Sequence, residues 1–313
     1  MTRPVKISPG LQQALEEAAP IVALESTVIA HGLPYPANLE TARAMEEVVR
    51  EHGAHPATIA IIDGVFRVGL SDSELEYLAT SRRIRKVSRR DLPVAAARGE
   101  DGATTVAATA TIAAWAGIPI FATGGIGGVH RDPPYDISND LPTLASVPVA
   151  VVCSGAKSVL NLRATLEWLE TAGIPVIGYE TDEFPAFYSR RSGLPVDVRV
   201  DNAVEAAAII AAGLGMGLGG ILVAVPVPEE EELAAEELEA AITSALMEAQ
   251  ARGVEGSAST PFLLKWVGRE TEGASIKANV ALLENNAAVA AEIAVALRGL
   301  AATPGEGPVA PPA

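Results

Sequence analysis

The chain alternates continuous apolar runs with amphipathic stretches. Ile21 to Ile29 is a run rich in β-branched side chains, the pattern of a buried strand. Residues 38 to 52 then place Leu39, Ala42, Met45, Val48 and Val49 at helical spacing, and Gly53 just beyond suits a C-terminal cap. Pro56 leads into a strand from Thr58 to Ile62. The same punctuation returns as Gly117-Ile118-Pro119 before Ile120 to Thr123, and as Gly173-Ile174-Pro175 before Val176 to Tyr179. Glycine ends a helix, proline blocks its continuation, and an apolar strand follows. The residues up to Pro20 read as an arm and a short amphipathic helix, and Glu229 to Glu232 opens a helix reaching Gly253. The alternation predicts an α/β protein: one large domain over residues 1–300, with a central mixed, mostly parallel sheet covered by helices on both faces. Ala301 to Ala313, rich in Pro, Gly and Ala, is expected to be a disordered tail. No internal repeat of fixed period is present.

Composition supports a packed core, since 49% of the 313 residues are hydrophobic and 20% charged. Positive mean hydropathy raises the question of membrane spans. Gly102 to Val129 and Ala206 to Pro228 lack charge for longer than the roughly 20 residues a spanning helix needs. Both are broken by glycines, the second at Gly213, Gly215, Gly217, Gly219 and Gly220. Each reads instead as a helix, a glycine turn and a buried strand. The opening Met-Thr-Arg-Pro-Val-Lys has no apolar segment of a secretory signal, so a soluble cytoplasmic protein is expected. With 23 basic and 39 acidic residues the net charge is −16, which repels a phosphate backbone and argues against a nucleic-acid partner. The single cysteine, Cys153, excludes an internal disulfide and a cysteine zinc cage.

In parallel α/β sheets ligands sit beyond the carboxyl ends of the strands, and four places there carry candidate chemistry. Glu25 lies inside an apolar run; burial raises a carboxyl pKa and makes a proton donor, whereas at a solvated edge the residue is ordinary. Lys157 follows the strand Val151-Val152-Cys153 and precedes a helix with Val159, Leu162, Leu166 and Leu169 on one face. Apolar surroundings and a helix N-terminus both favour its neutral amine, which can form a Schiff base; the alternative is a lysine reaching out to solvent. Asp136-Ile137-Ser138-Asn139-Asp140 offers oxygen ligands to a hard divalent ion, or simply caps the helix at Leu141. Gly102-Ala103-Thr104-Thr105-Val106, opening a helix, and Thr123 to Gly128 can hold a phosphate on backbone amides. Lys86 adds a basic group that contacts an anion or belongs to a surface charge cluster. The glycines match neither a P-loop nor a clean dinucleotide fingerprint, and His31, His52 and His55 lack zinc-ligand spacing, reading as structural or surface residues.

Taken in order, these segments resemble the pseudouridine-5′-phosphate glycosidase family, related to the indigoidine synthase A group. The resemblance runs nearly the full length. It is carried by Val22-Ala23-Leu24-Glu25-Ser26-Thr27, His31-Gly32, Lys86-Val87-Ser88-Arg89-Arg90-Asp91 and Gly102-Ala103-Thr104-Thr105-Val106. It continues through Thr123-Gly124-Gly125-Ile126-Gly127-Gly128-Val129-His130-Arg131, Asp136-Ile137-Ser138, Ser154-Gly155-Ala156-Lys157-Ser158, Ser259-Thr260-Pro261 and Asn285-Asn286-Ala287. The resemblance implies an indigoidine synthase A-like α/β/α fold and reversible cleavage of the carbon-carbon glycosidic bond of pseudouridine 5′-phosphate to uracil and ribose 5-phosphate. It also implies a homotrimer and one divalent ion, usually manganese. By position it makes Lys157 the nucleophile, Glu25 the proton donor and Asp136 the metal ligand. Lys86, Val106, Ser138, Asn139 and Asp140 become substrate contacts, with His130 and Asn279 also lining the site. The chain departs from the pattern at Asn139 and in the loop Asp132-Pro133-Pro134-Tyr135. A Schiff-base aldolase acting on another sugar phosphate, or a noncatalytic nucleotide-binding protein, stands as the alternative.

Overall fold

The structure, a computed structural model, describes residues 4–133, 135–254, 256 and 259–302. Pro134 and the expected tail beyond residue 302 lie outside them. The first half runs β1 (Val5–Ile7), α1 (Pro9–Glu16), β2 (Ile21–Leu24), α2 (Ala37–Glu51), β3 (His55–Ile62), β4 (Val65–Val68) and α3 (Asp72–Thr80). It continues with β5 (Arg85–Val87), α4 (Leu92–Arg98), β6 (Gly102–Thr104), α5 (Val106–Ala116), β7 (Ile120–Ala122), β8 (Val129–His130) and α6 (Asp140–Leu144). The second half runs β9 (Ala150–Cys153), β10 (Leu160–Asn161), α7 (Leu162–Thr171), β11 (Val176–Tyr179), β12 (Val198–Val200), α8 (Ala203–Met216) and β13 (Ile221–Ala224). Three helices close the chain: α9 (Ala235–Ala251), α10 (Ser259–Glu270) and α11 (Ala274–Ala302).

Eleven strands form one sheet whose main path is β1-β4-β3-β2-β7-β9-β13-β11-β12, with β6 branching from β3 and carrying β5. The pairs β3-β4 and β3-β6 are antiparallel and all others in this sheet are parallel, so the expected mixed, mostly parallel α/β architecture is present. Strands β2, β7, β9 and β13 are buried at every residue, because helices cover both faces and leave no solvated side to alternate towards. Helix α5 packs on β2, β3, β4 and β7, and α11 packs on β2, β7 and β9 together with α2 and α8. The chemistry of α5 explains its depth: Val106 to Ala113 are all buried, alanines and threonines allow close approach, and the Thr111 hydroxyl bonds the Ala107 carbonyl. Its N-terminus lies beside the carboxyl end of β5, where the Thr105 amide donates to the Val87 carbonyl at 2.9 Å.

Three element boundaries differ from the pattern-based expectation. The apolar run from Ile21 leaves the sheet at Leu24, and Val28–Gly32 instead forms one turn of wide helix, with the Leu33 amide bonding the Val28 carbonyl. Gly102 to Thr104 pairs with β3 and β5 as a strand, so the helix starts at Val106. The acidic run Glu229–Glu231 is a separate 3-10 turn, and the helix beyond starts at Ala235. Among the described residues, α11 is the helix long and apolar enough to cross a membrane, and half of its most apolar window is buried within the fold.

Candidate active site

The parallel strands β2, β7 and β9 are neighbours and end in register: Leu24 pairs with Ala122, and Ala122 with Val152. The next residues therefore meet at one edge. Glu25 follows β2, Thr123 follows β7, and the Ser154–Lys157 segment follows β9. Thr123 donates its hydroxyl proton to the Glu25 carboxylate, a side chain 8% exposed. The segments beyond β7 and β9 then pair with each other, the Ile126 amide donating to the Gly155 carbonyl at 3.0 Å and the Lys157 amide to the Ile126 carbonyl at 3.1 Å. Gly155 is required at its position: it has φ +80°, and a Cβ there would collide with the Pro185 carbonyl oxygen.

These segments border a cavity of about 580 Å³ that brings together every site residue expected from the sequence: Glu25, Lys86, Val106, His130, Asp136, Ser138, Asn139, Asp140, Lys157 and Asn279. Burial raises the Glu25 carboxyl above the ordinary carboxylate range, against the opposing pull of Lys157 and of the Thr123 hydrogen bond. Lys86 is held below the ordinary lysine range by burial and then by the charge of Lys157, with Asp140 and Glu25 opposing. His31 and His130 are both lowered, first by burial; Lys86 adds to the effect at each, and Asp136 opposes it at His130. The buried Cys153 thiol is pushed up to about 12 by burial, which disfavours its thiolate.

Asp140 faces inward to the scaffold. Its Oδ1 accepts from the Ala107 amide at 2.9 Å and its Oδ2 from the Gly127 amide at 2.8 Å, so one carboxylate ties the start of α5 to the glycine loop after β7. That arrangement bears on the expected manganese site. Among the described residues no group of three or more His, Cys, Asp or Glu side chains is placed to hold a metal ion. Asp136 has the His130 imidazole beside it, Nε2 to Oδ2 3.9 Å, while the oxygens of Asp140 accept from backbone amides. One carboxylate and one imidazole do not make the oxygen cage of a hard divalent ion. The expectation of a bound manganese ion held by Asp136 is therefore corrected.

Of the other groups that shape the cavity, His31 reads in sequence as a structural or surface residue, Thr105 only as part of a backbone phosphate cradle and Asn286 only as part of a matching segment, while Phe187 carries no signal. His31 and Thr105 line the cavity, and His31 Nε2 and Thr105 Oγ1 are buried atoms with no hydrogen-bond partner among the described residues. Phe187 lines it from a left-handed backbone conformation, φ 68°. Asn286, fully buried on α11, donates to the Thr123 carbonyl at 2.9 Å and to the Ser154 hydroxyl at 3.1 Å, joining the segments that follow β7 and β9. A polar residue on the inward face of an apolar helix was the available signal for Asn286.

Fold and cavity define an α/β enzyme whose site lies at the carboxyl edge of its parallel strands. A family model described as indigoidine synthase A like protein matches residues 10–296, and the chain belongs to that family. It is 56% identical over 303 residues to a pseudouridine-5′-phosphate glycosidase of Caldanaerobacter subterraneus subsp. tengcongensis, covering 96% of this chain and 99% of the relative. It is 55% identical over 298 residues to one of Symbiobacterium thermophilum, covering 93% and 97%. Among solved structures, the prealnumycin C-glycosynthase AlnA in complex with ribulose 5-phosphate is 42% identical with TM-score 0.88, covering 95% of this chain and 98% of that one. An indigoidine synthase A-like protein of Thermotoga maritima is 40% identical with TM-score 0.86, covering 94% and 96%.

Proposed function

We propose that the chain reversibly cleaves the carbon-carbon glycosidic bond of pseudouridine 5′-phosphate, giving uracil and ribose 5-phosphate through an imine on Lys157. The observation that carries this reading is the meeting of Lys157 and a buried, pKa-raised Glu25 in one cavity. Relatives more than half identical along nearly the whole chain bear that activity in their names.

A C-glycoside offers no leaving oxygen or nitrogen to protonate, so the two-carboxylate scheme of ordinary glycosidases does not transfer. Opening the sugar supplies another route. Glu25 gives its proton to the ribose ring oxygen O4′ as the C1′-O4′ bond breaks, and the Lys157 amine lone pair forms a bond to C1′. The ionised Glu25 takes a proton from the attached nitrogen, whose freed pair then forms the C1′=N bond of the imine. The electrons of the C1′-C5 bond pass to uracil C5, which takes up a proton. Water hydrolyses the imine, regenerating Lys157 and releasing ribose 5-phosphate.

The lining is polarised in a way that suits such a substrate. Lys86 lies on β5 and Thr105 directly follows its partner strand β6, and His31 adjoins them through a hydrogen bond to the Ile84 backbone. This basic, hydroxyl-bearing side, with its unpartnered His31 and Thr105 atoms, takes the phosphate. Asn279 and Leu283 adjoin Gly124 on the other side, where a carboxamide and an apolar surface suit the flat, amide-edged uracil. A chain carrying −16 must attract an anion through such a local cluster. A homotrimer and a cytoplasmic location belong to the same proposal. Exposed Val204, Met216 and Leu218 around α8 give copies of the chain an apolar surface to share, which light scattering checks.

Borohydride trapping with ribose 5-phosphate, followed by peptide mass spectrometry, tests the mechanism. A reduced sugar adduct is expected on Lys157 and is lost in Lys157→Ala together with uracil release. Uracil release by a protein that carries no adduct on Lys157 overturns the nucleophile.

A further inference from the structure

We infer that Arg131 is a positioning residue that sets the turn bearing Lys157 and links it to the helical cover of the cavity; the inference rests on the nucleophilic role proposed above. The guanidinium works in two directions. Towards the nucleophile, Arg131 Nη2 donates to the Ser158 carbonyl at 3.2 Å and Nε to the Leu160 carbonyl at 3.3 Å. Those carbonyls belong to the turn that Lys157 begins, closed by the Leu160 amide donating to the Lys157 carbonyl at 3.0 Å. Leu160 pairs with His130 in the two-stranded ribbon β8-β10, and the buried Ser158 hydroxyl has no hydrogen-bond partner among the described residues. Away from the nucleophile, Nη1 and Nη2 reach the Glu239 carboxylate on α9 at 2.5 and 3.0 Å, a two-point fork.

Helix α9 matters because of what it carries. It packs along α10, with Trp266 Nε1 donating to the Ser244 hydroxyl at 3.1 Å, and α10 sends Thr260, Pro261 and Leu264 into the cavity lining. Beside the Trp266 bond to Ser244 and a bond to Glu248 from Arg252 just beyond its C-terminus, α9 is tied through Glu239 to Arg131. One guanidinium thus spans from the peptide group after the nucleophile to the cover above the substrate. An ammonium cannot replace it, because a point charge on a flexible stem does not present the planar fork that engages two carbonyls and a carboxylate together.

Arg131→Ala, Arg131→Lys and Glu239→Gln in the full chain, compared with the unsubstituted protein, test the inference by three measurements. Arg131→Ala is expected to slow borohydride-trapped adduct formation on Lys157 by about tenfold or more, because small misplacement of a reacting group is costly, while KM changes by less than about threefold. Amide hydrogen exchange at Leu160 should accelerate by about tenfold in the same variant, with Val151 and Val152 in β9 still protected. Arg131→Lys should recover less than half of the adduct rate. Glu239→Gln should keep the Leu160 amide protected, since the carbonyl contacts survive. A purely structural role moves stability and leaves the kcat and KM pattern intact. Unchanged Leu160 exchange in Arg131→Ala overturns the inference whatever the substrate is, and so does full adduct rate in Arg131→Lys, which also decides the matter if the alanine variant does not fold. Absence of a ribose 5-phosphate adduct in the unsubstituted protein overturns the glycosidase reading instead, leaving the exchange result to judge Arg131.

Discussion

Two uncharged stretches of this chain have the same plan. In residues 102–129, α5 ends at Gly117 and β7 follows; in residues 206–228, α8 ends at Gly217 and β13 follows. Both strands lie in the middle of the sheet, one on each side of β9, and both emerge at its carboxyl edge. What emerges differs. β7 runs into Thr123, whose hydroxyl meets Glu25, and into a glycine stretch whose amides and carbonyls meet Asp140, Asn286 and the Lys157 segment, whereas β13 runs into Val225-Pro226-Val227-Pro228. Prolines have no N–H to offer, both valines are buried, and none of the four lines the cavity. The glycines of the second stretch lie at the opposite end of their strand, where Gly219 and Gly220 pass within 2.5 and 2.9 Å of the carbonyls of Ala145 and Leu144 at the place a Cβ would occupy. Glycine content therefore does not make a site; glycine immediately beyond the carboxyl end of a parallel strand does.

The largest effect expected at the functional stretch comes from its carboxyl partner. Glu25→Gln keeps the shape and removes the proton, so turnover should fall by about 10²–10⁴ in a uracil-release assay. In the unsubstituted protein the rate should decline as pH rises through the raised pKa of Glu25, because the ring-opening step uses the protonated acid. Stability moves the same way. The folded pKa lies above the ordinary 4.5, so the unfolded chain loses this proton first, and the native state is destabilised progressively from that pH up to the folded value. Melting temperatures of Glu25→Gln and the unsubstituted protein should converge in acid and separate in favour of the variant above it. Undiminished uracil release by Glu25→Gln contradicts the proton-donor role.

The layers of this arrangement differ in how far the chain betrays them. Strand and helix alternation was legible because the Gly-x-Pro breaks at Gly117 and Gly173 each do one local job, and Glu25, Lys86 and Lys157 stood out as ionisable residues at strand ends. The strand expected to reach Ile29 stops at Leu24, because carrying the chain over the cavity rim overrides the β preference of Val28 and Ile29. Asp136 and Asp140 look equivalent in sequence. Whether a carboxylate faces a ligand or a backbone amide depends on where Ala107 and Gly127 lie in space, which no local spacing encodes. The same applies to Asn286, whose partners lie more than a hundred residues away, and to His31 and Thr105, whose importance rests on buried atoms left without a partner among the described residues.

Gly127→Ala tests the functional stretch without touching a reacting group. Its Cβ would press on the Ser138 hydroxyl and stand 2.8 Å from Asp140 Oδ2, the oxygen that accepts the Gly127 amide. Relieving that overlap moves the loop that holds Lys157. A loss of about 1–3 kcal/mol in denaturant unfolding is expected from overpacking. Activity should fall by about tenfold or more, as for misplaced catalytic groups. Activity near that of the unsubstituted protein means that the Asp140 tie does not govern the geometry of the nucleophile.

The smallest effect is expected in the second stretch, and it has the opposite sign. Gly215 lies near the end of α8 with nothing within 4 Å of the place its Cβ would occupy and no left-handed backbone to preserve. Here glycine costs helix stability without serving a close approach, so Gly215→Ala should stabilise the protein by about 0.5–1 kcal/mol through backbone entropy alone. Turnover should stay unchanged, since α8 contributes nothing to the cavity lining. If Gly215→Ala lowered activity as Gly127→Ala does, the two stretches would not be separable by their position at the strand ends. A gain in unfolding free energy at constant turnover keeps the distinction, because the same substitution of the same residue type then has opposite consequences in the two stretches, one feeding the site beyond β7 and the other lying in α8 before β13.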